Sequence, residues 1–419
     1  CVRKYLFLLN EVRSSDICTL LMITHGSKYL PLLMLHPLLE VRASAARELN
    51  PAFLVYCKGT TVIFIAINME HIDTYPALLI SESISRQNIR HMAKKMRMHG
   101  LLFRPHYKTH QSLNTARWFK DEGITAITVS SVKMARMFAA AGWEDITIAF
   151  PLNVHETEAI NSLAQSVNLN VVMDMPQQAA VLSATIKQRM GFFIKTDTGY
   201  GRAGIKAGET EKMDAILGIA QHPLLVFKGF LTHAGETYHA HSVEEILEIH
   251  KRSSALLAGL KQRYFSRFPG ILASAGDTPT ASLASDFTGL DELRPGNFVY
   301  YDLMQLRLGS CRFEHIAAAV VCPVISVYPK RNEALLQCGA VHLSKEFLLD
   351  NDGTLNFGLV VPFKEGKWLS PEGKDHLSRL SQEHGIFSTQ SMWAQQLKPG
   401  DMVAVIPVHS CLTVDLMRK

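Results

Sequence analysis

From about residue 73 onward, short apolar runs alternate along the chain with stretches whose apolar positions recur at helical spacing. Residues 84–98 predict a helix with basic residues on its polar face, and LLFRP (101–105) predicts a strand. A helix over 112–122, a strand over 124–130 and a helix over 132–141 follow. The strand series continues at 146–151, 170–174, 192–197, 227–233 and 271–277, with further helices over 176–189 and 243–265. Runs of four to seven apolar residues separated by helices are the pattern of a parallel sheet covered on both faces.

This alternation spans roughly 200 residues without a Gly-rich dinucleotide fingerprint after its first strand, so it predicts an α/β fold of the TIM-type (β/α)8 barrel class rather than a doubly wound sheet. Lys108, Asp197, His233 and Gly276 each follow a predicted strand. In a barrel such positions open onto one face, where they would meet in one pocket. After about residue 310 the texture becomes β-rich, with Gly and Pro turns. The expected organisation is an N-terminal segment (1–72), a barrel (73–300) and a second, mainly β domain (301–419).

Composition narrows the picture. With 419 residues and 47% hydrophobic content, the chain is long enough for two domains with good cores. A formal net charge of +5 with interspersed signs implies no nucleic-acid partner, yet it favours a small anionic ligand. The seven cysteines are odd in number and form no CxxC, so they read as reduced thiols of a cytoplasmic protein. Apolar patches at 30–35 and 62–67 are too short for a membrane span and lack the form of a secretory signal.

Lys108 sits between two histidines in RPHYKTH. A lysine that attacks a carbonyl must be neutral, and Arg104, His106 and His110 could supply the positive field that keeps it so. Any single lysine is far more often a solvated side chain. His409 and Cys411 stand two apart in a segment expected to be a strand or turn, where both would point to one side. Imidazole and thiolate are zinc ligands, and two of them leave positions open for catalysis. The bland account of such a pair is a buried thiol beside a polar neighbour. DTGYGRAG (197–204) permits tight turns and close approach to a ligand. SAGDTPT (274–280) and ELRPGN (292–297) have the small and hydroxyl residues of an anion site, or of ordinary capped loops.

Taken together, DTYPALLI (73–80), RPHYKTH, DTGYGRAG, THAGETY (232–238), SAGDTPT, ELRPGN, EHG (383–385) and PVHSCLT (407–413) resemble the D-serine dehydratase and D-threonine aldolase family, whose members bind pyridoxal phosphate on an alanine racemase-like barrel. The resemblance covers residues 73 to 419. It implies that Lys108 links the cofactor, Arg202 lies by its phenolic oxygen, and Gly276, Thr278, Gly296 and Asn297 cradle its phosphate. Tyr238 is implied near the pyridine ring, and His409 and Cys411 as the zinc pair. The thiol at 411 favours the dehydratase branch, since the aldolase branch typically places Asp there. The implied reaction is the conversion of D-serine to pyruvate and ammonia. Its runner-up is retro-aldol cleavage of D-3-hydroxy amino acids, with His233 or another pocket histidine taking the hydroxyl proton. A non-catalytic pyridoxal phosphate carrier is a third reading. The resemblance also implies a homodimer.

Overall fold

A computed structural model describes residues 74–350 and 352–418, together with strand backbone at Ala52–Cys57 and Thr60–Ile65. Those two strands form an antiparallel hairpin, from Ala52 opposite Ile65 to Cys57 opposite Thr60. The apolar patch at 30–35 and the thiols Cys1 and Cys18 lie outside the described residues. Residues 1–73 and 74–419 form separate compact units.

The larger unit contains the predicted barrel. Its strands are β1 (Leu102–Phe103), β2 (Ala126–Val129), β3 (Asp145–Pro151), β4 (Asn168–Met173), β5 (Met190–Asp197), β6 (Leu225–Leu231), β7 (Leu272–Ala275) and β8 (Glu292–Leu293). They pair in parallel from β2 through β7 to β8 and then β1. The ring closes where His106 bridges Thr128, with Tyr107 N donating to Thr128 O at 2.9 Å. The strand β8 was not predicted. Two residues are too short for an apolar run, and its Glu and Arg neighbours read as a turn.

Serines start four of the helices around the barrel. Ser81, Ser112, Ser131 and Ser242 are each N-caps whose hydroxyl accepts the N–H of the third helical residue, at 3.1–3.4 Å. The helix faces bury Ile89, Met96, Phe119, Phe138 and Leu257 against the outer faces of the strands. Gly229 is needed where β6 bulges against β5 and passes close to β7: a Cβ there would stand 2.1 Å from Leu272 O, at a φ of +123°.

Alternation along each strand sends every second residue inward, and the interior is layered accordingly. The lower layers are polar. Arg104 contacts Glu292 and Asp145 at 2.6 Å, Ser274 Oγ donates to Glu292 at 2.6 Å, and Arg294 Nε donates to Ser274 Oγ at 2.7 Å. Val172, Phe193 and Leu231 form a small apolar layer.

The second sheet is antiparallel and centred on the long strand Ala318–Tyr328. Met402–Pro407 pairs with that strand, as does Glu333–Gln337. The strand Ala77–Ile80, which precedes the barrel in sequence, also pairs with it.

Glu292 is fully buried between two guanidinium groups, so its removal leaves Arg294 without its carboxylate and Arg104 with Asp145 alone. Glu292→Gln is expected to lower unfolding free energy by about 3–5 kcal/mol. Urea denaturation would show this, and a loss below about 1 kcal/mol would mean that the network does not hold the barrel together.

Candidate active site

The inward alternation that builds the barrel interior also builds the site above it. One position beyond the buried layers, the strand ends present His106, Ala149, Lys195, His233, Gly276 and Gly296, all lining one cavity of about 370 Å³. Lys108, Arg202, Tyr238, Asn297, His409 and Cys411 line the same cavity. Thr278 is fully buried just behind, its N–H donating to Tyr238 Oη at 3.3 Å and its own hydroxyl without a partner. Candidate residues spread over 304 positions are thus brought together.

Lys108 is exposed on the turn that follows β1. The flanking histidines do not provide the expected cationic field. Burial lowers His110 to about 3, and its ring stacks on Phe119. His106 is likewise pushed well below its ordinary value, by burial and then by Lys108 and Arg294. Arg104 is committed to its carboxylates below. The cations that share the cavity with Lys108 are Lys195, Arg202 and Arg294.

Lys195 was missed from sequence, although a lysine inside the apolar run FFIK is itself a signal. It is only 5% exposed and hydrogen-bonds no other described residue. Burial, then Arg294 and Arg202, lower it from 10.5 to about 7. Its amine is therefore close to half neutral at physiological pH.

His233 donates Nδ1–H to the Gly276 carbonyl, and burial holds the ring neutral, leaving Nε2 as the basic nitrogen. Arg202 lies over the Tyr200 ring at 5.2 Å. The glycine loop around it spends its N–H groups internally: Gly199 and Gly201 both donate to Asp197 at 3.0 Å, and Gly204 donates to Asp174 at 3.1 Å. Its glycines shape a turn and offer these amides to carboxylates of the chain rather than to a ligand.

His409 and Cys411 are not on a strand. The strand ends at Pro407, and His409 is the N-cap residue of the helix Ser410–Met417. The two side chains share a side because a helix begins between them. The sequence, apolar up to Val408, gave no periodicity to mark that start. Both belong to a network centred on Asp302, which is fully buried. Asp302 accepts Ser410 N at 2.9 Å and Asn297 Nδ2 at 2.5 Å, and His409 Nδ1 lies 4.0 Å from it. The Asn297 side chain is thereby a structural tie, with Oδ1 left unpartnered. Thr109 Oγ1 lies 3.1 Å from Cys411 Sγ. Burial opposes charge on both members of the pair, but each stabilises the other. Cys411 and Asp302 raise His409 to about 9, and His409 draws Cys411 below its ordinary value. Cys411 is thus biased toward thiolate, the form that binds metal. EHG, by contrast, lies in the second sheet, where Gly385 opposes Leu336.

A cavity that combines an exposed lysine, neighbouring cations and an imidazole–thiolate pair suits amine chemistry on an anionic ligand. The family model "Alanine racemase, N-terminal domain" matches residues 80–303, and "Putative serine dehydratase domain" matches 317–419. The chain belongs to the alanine racemase-like family. Within that family of fold-type III pyridoxal phosphate enzymes, it is similar to a D-serine dehydratase of Dictyostelium discoideum, at 27% identity over 81% of this chain and 90% of the relative. It is also similar to D-threo-3-hydroxyaspartate dehydratase of Delftia sp., at 28% identity over 82% and 92% of the two chains. The solved structure of that enzyme superposes with a TM-score of 0.75 over 82% of this chain and 92% of its own. A cysteine-to-alanine mutant of the same enzyme, solved in the metal-free form, superposes with a TM-score of 0.74 at 27% identity, over 82% and 92% of the two chains.

The titration of Lys195 has a consequence for this family member without its cofactor. The unfolded chain keeps the Lys195 proton up to about 10.5, whereas the folded chain releases it near 7. Between those values the unfolded state binds more protons, so stability rises with pH across that window and is flat in this respect below it. Lys195→Met removes the rise. Urea midpoints of the apo forms should therefore converge as pH increases from 7 toward 10. Parallel curves would show that Lys195 keeps its proton in the fold.

Proposed function

We propose that this chain is a pyridoxal phosphate- and zinc-dependent D-serine dehydratase, a lyase that yields pyruvate and ammonia. The observation that carries the reading is that Lys108 and the His409–Cys411 pair line one cavity. The reading takes residues 73–300 as the cofactor-binding barrel and 301–419 as the domain with the metal pair, and leaves 1–72 outside both. No helix among the described residues is long and apolar enough to cross a membrane. Cys311, Cys322, Cys338 and Cys411 are free thiols, which supports a reducing cytoplasm. A homodimer is part of the same reading.

The residues fit the two groups that the reading needs. The cavity volume lies within the range of small-ligand sites. Its unpaired cations suit a phosphate-bearing aldehyde, and the orphaned Thr278 hydroxyl, behind Gly276, has capacity for a further hydrogen bond. Lys108 would hold the cofactor, with Arg202 and Tyr238 beside its ring and Gly276, Thr278, Gly296 and Asn297 toward its phosphate. The bound cofactor supplies an electron sink for the substrate Cα. For the metal, the donor set is one imidazole and one thiolate, with Asp302 behind the imidazole as a buried carboxylate that orients it. Zinc held there supplies Lewis acidity toward the substrate β-hydroxyl.

The chain's own contributions follow. Lys108 Nζ takes the proton from the substrate Cα. Lys195 and Arg202 attract the substrate carboxylate into a cationic cavity. His409 and Cys411 fix the end of the cavity at which the hydroxyl departs. His233 stays neutral and lines the wall.

That neutral His233 also supports a second reading, cleavage of D-3-hydroxy amino acids to glycine and an aldehyde. Its Nε2 is a base that could accept a β-hydroxyl proton. Product analysis separates the two.

Purified protein supplied with pyridoxal phosphate and D-serine should form equal pyruvate and ammonia, and a chelator should abolish both. Lys108→Ala should lose the absorbance of the protein-bound cofactor and at least about 10³-fold in turnover. Cys411→Ala should keep that absorbance but lose zinc, measured by elemental analysis, along with pyruvate formation. Full activity of Cys411→Ala without zinc would overturn the metal role. Glycine in place of pyruvate would favour the aldolase reading.

A further inference from the structure

The carboxylates that line the cavity are Asp277 and Glu346. Asp277 is occupied, since it caps a helix and accepts from Thr280 and Thr237. Glu346 is different. It is exposed on the loop between the short helix Ala340–Leu343 and the strand Leu348–Leu349. Its backbone N–H is held by Ser344 Oγ at 3.2 Å, but its carboxylate pairs with no Lys or Arg among the described residues. It lines the wall alongside His409, Cys411, Leu412 and Met304, and its charge reaches the His409 imidazole. Among the described residues no group of three His, Cys, Asp or Glu side chains is placed to hold a metal ion.

We infer that Glu346 sets substrate specificity at the β-carbon, admitting neutral β-substituents and repelling a β-carboxylate. The inference rests on the proposed reaction, which puts the departing hydroxyl, and hence the β-carbon, at the His409–Cys411 end. A second substituent on that carbon then lies beside Glu346, Leu412 and Met304. Hydrogen, as in D-serine, or methyl, as in D-threonine, meets Leu412 and Met304 without electrostatic cost. A carboxylate, as in D-threo-3-hydroxyaspartate, meets a like charge that no Lys or Arg among the described residues pairs with. The cationic side of the cavity, at Lys108, Lys195 and Arg202, is already engaged by the α-carboxylate and the cofactor. Because Glu346 is solvent-exposed, the discrimination should weaken as ionic strength rises.

The test uses the zinc-loaded holoenzyme as wild type, Glu346→Gln and Glu346→Lys. Two ratios are measured: kcat/KM for D-threo-3-hydroxyaspartate over D-serine, and calorimetric affinity for D-aspartate over D-alanine, neither of which carries a hydroxyl to eliminate. Removing one like charge should raise both ratios by about tenfold in Glu346→Gln, with a larger rise in Glu346→Lys. Ratios that stay constant across the three proteins overturn the inference, even if D-serine is turned over. Should wild type release neither pyruvate from D-serine nor oxaloacetate from D-threo-3-hydroxyaspartate, the dehydratase reading fails, and the D-aspartate to D-alanine ratio alone then upholds or overturns the role of Glu346.

Discussion

The site depends on one buried carboxylate. Asp302 sits at the start of a short helix after the barrel and binds groups from both parts of the site: Asn297 at the end of the β8 loop, and Ser410 between the two candidate metal ligands. A fully buried carboxylate is costly unless its oxygens are occupied, and here the partners that occupy them are the loops that must be aligned. Desolvation thus acts as an alignment force. The barrel mouth and the start of the last described helix keep their register because separating them would strand the charge.

A related balance governs the barrel interior. Arg104, Glu292 and Arg294 fill the lower layers with alternating charge, and the layer above inherits an excess of positive charge from Lys195, Arg202 and Lys108. Burial first, and then repulsion from Arg294 and Arg202, favours the neutral form of Lys195, and loss of its proton relieves part of that repulsion. An anionic ligand would relieve it more fully. Cofactor affinity and fold stability are therefore drawn from the same charge imbalance.

Much of this architecture was legible in the sequence because period-two and helical patterns report directly on burial. Seven of the eight barrel strands announced themselves as apolar runs, and helical periodicity placed several of the helices between them. The eighth strand was hidden because its inward residues, Glu292 and Arg294, are charged. Their burial is made possible by Arg104, which is 188 residues away from Glu292 and invisible to any local pattern. The same blindness concealed Asp302 and Glu346. Lys108, His409 and Cys411 stood out through motif resemblance, while the field around them did not: the histidines flanking Lys108 prove neutral, and its cationic neighbours come from other strands. The helix start at His409 was missed because the run up to Val408 is apolar without helical periodicity.

The contact between Thr109 and Cys411 joins positions 302 residues apart. During synthesis, the turn that bears Lys108 emerges long before the segment that completes its cavity. At ordinary elongation rates of about 5–20 residues per second, roughly 15–60 s separate the two events. Throughout that interval a nascent barrel exposes its mouth unfinished, with a cluster of unpaired cations open to solvent and to passing anions. Assembly of this cavity is then a late step that waits for the segment bearing His409 and Cys411.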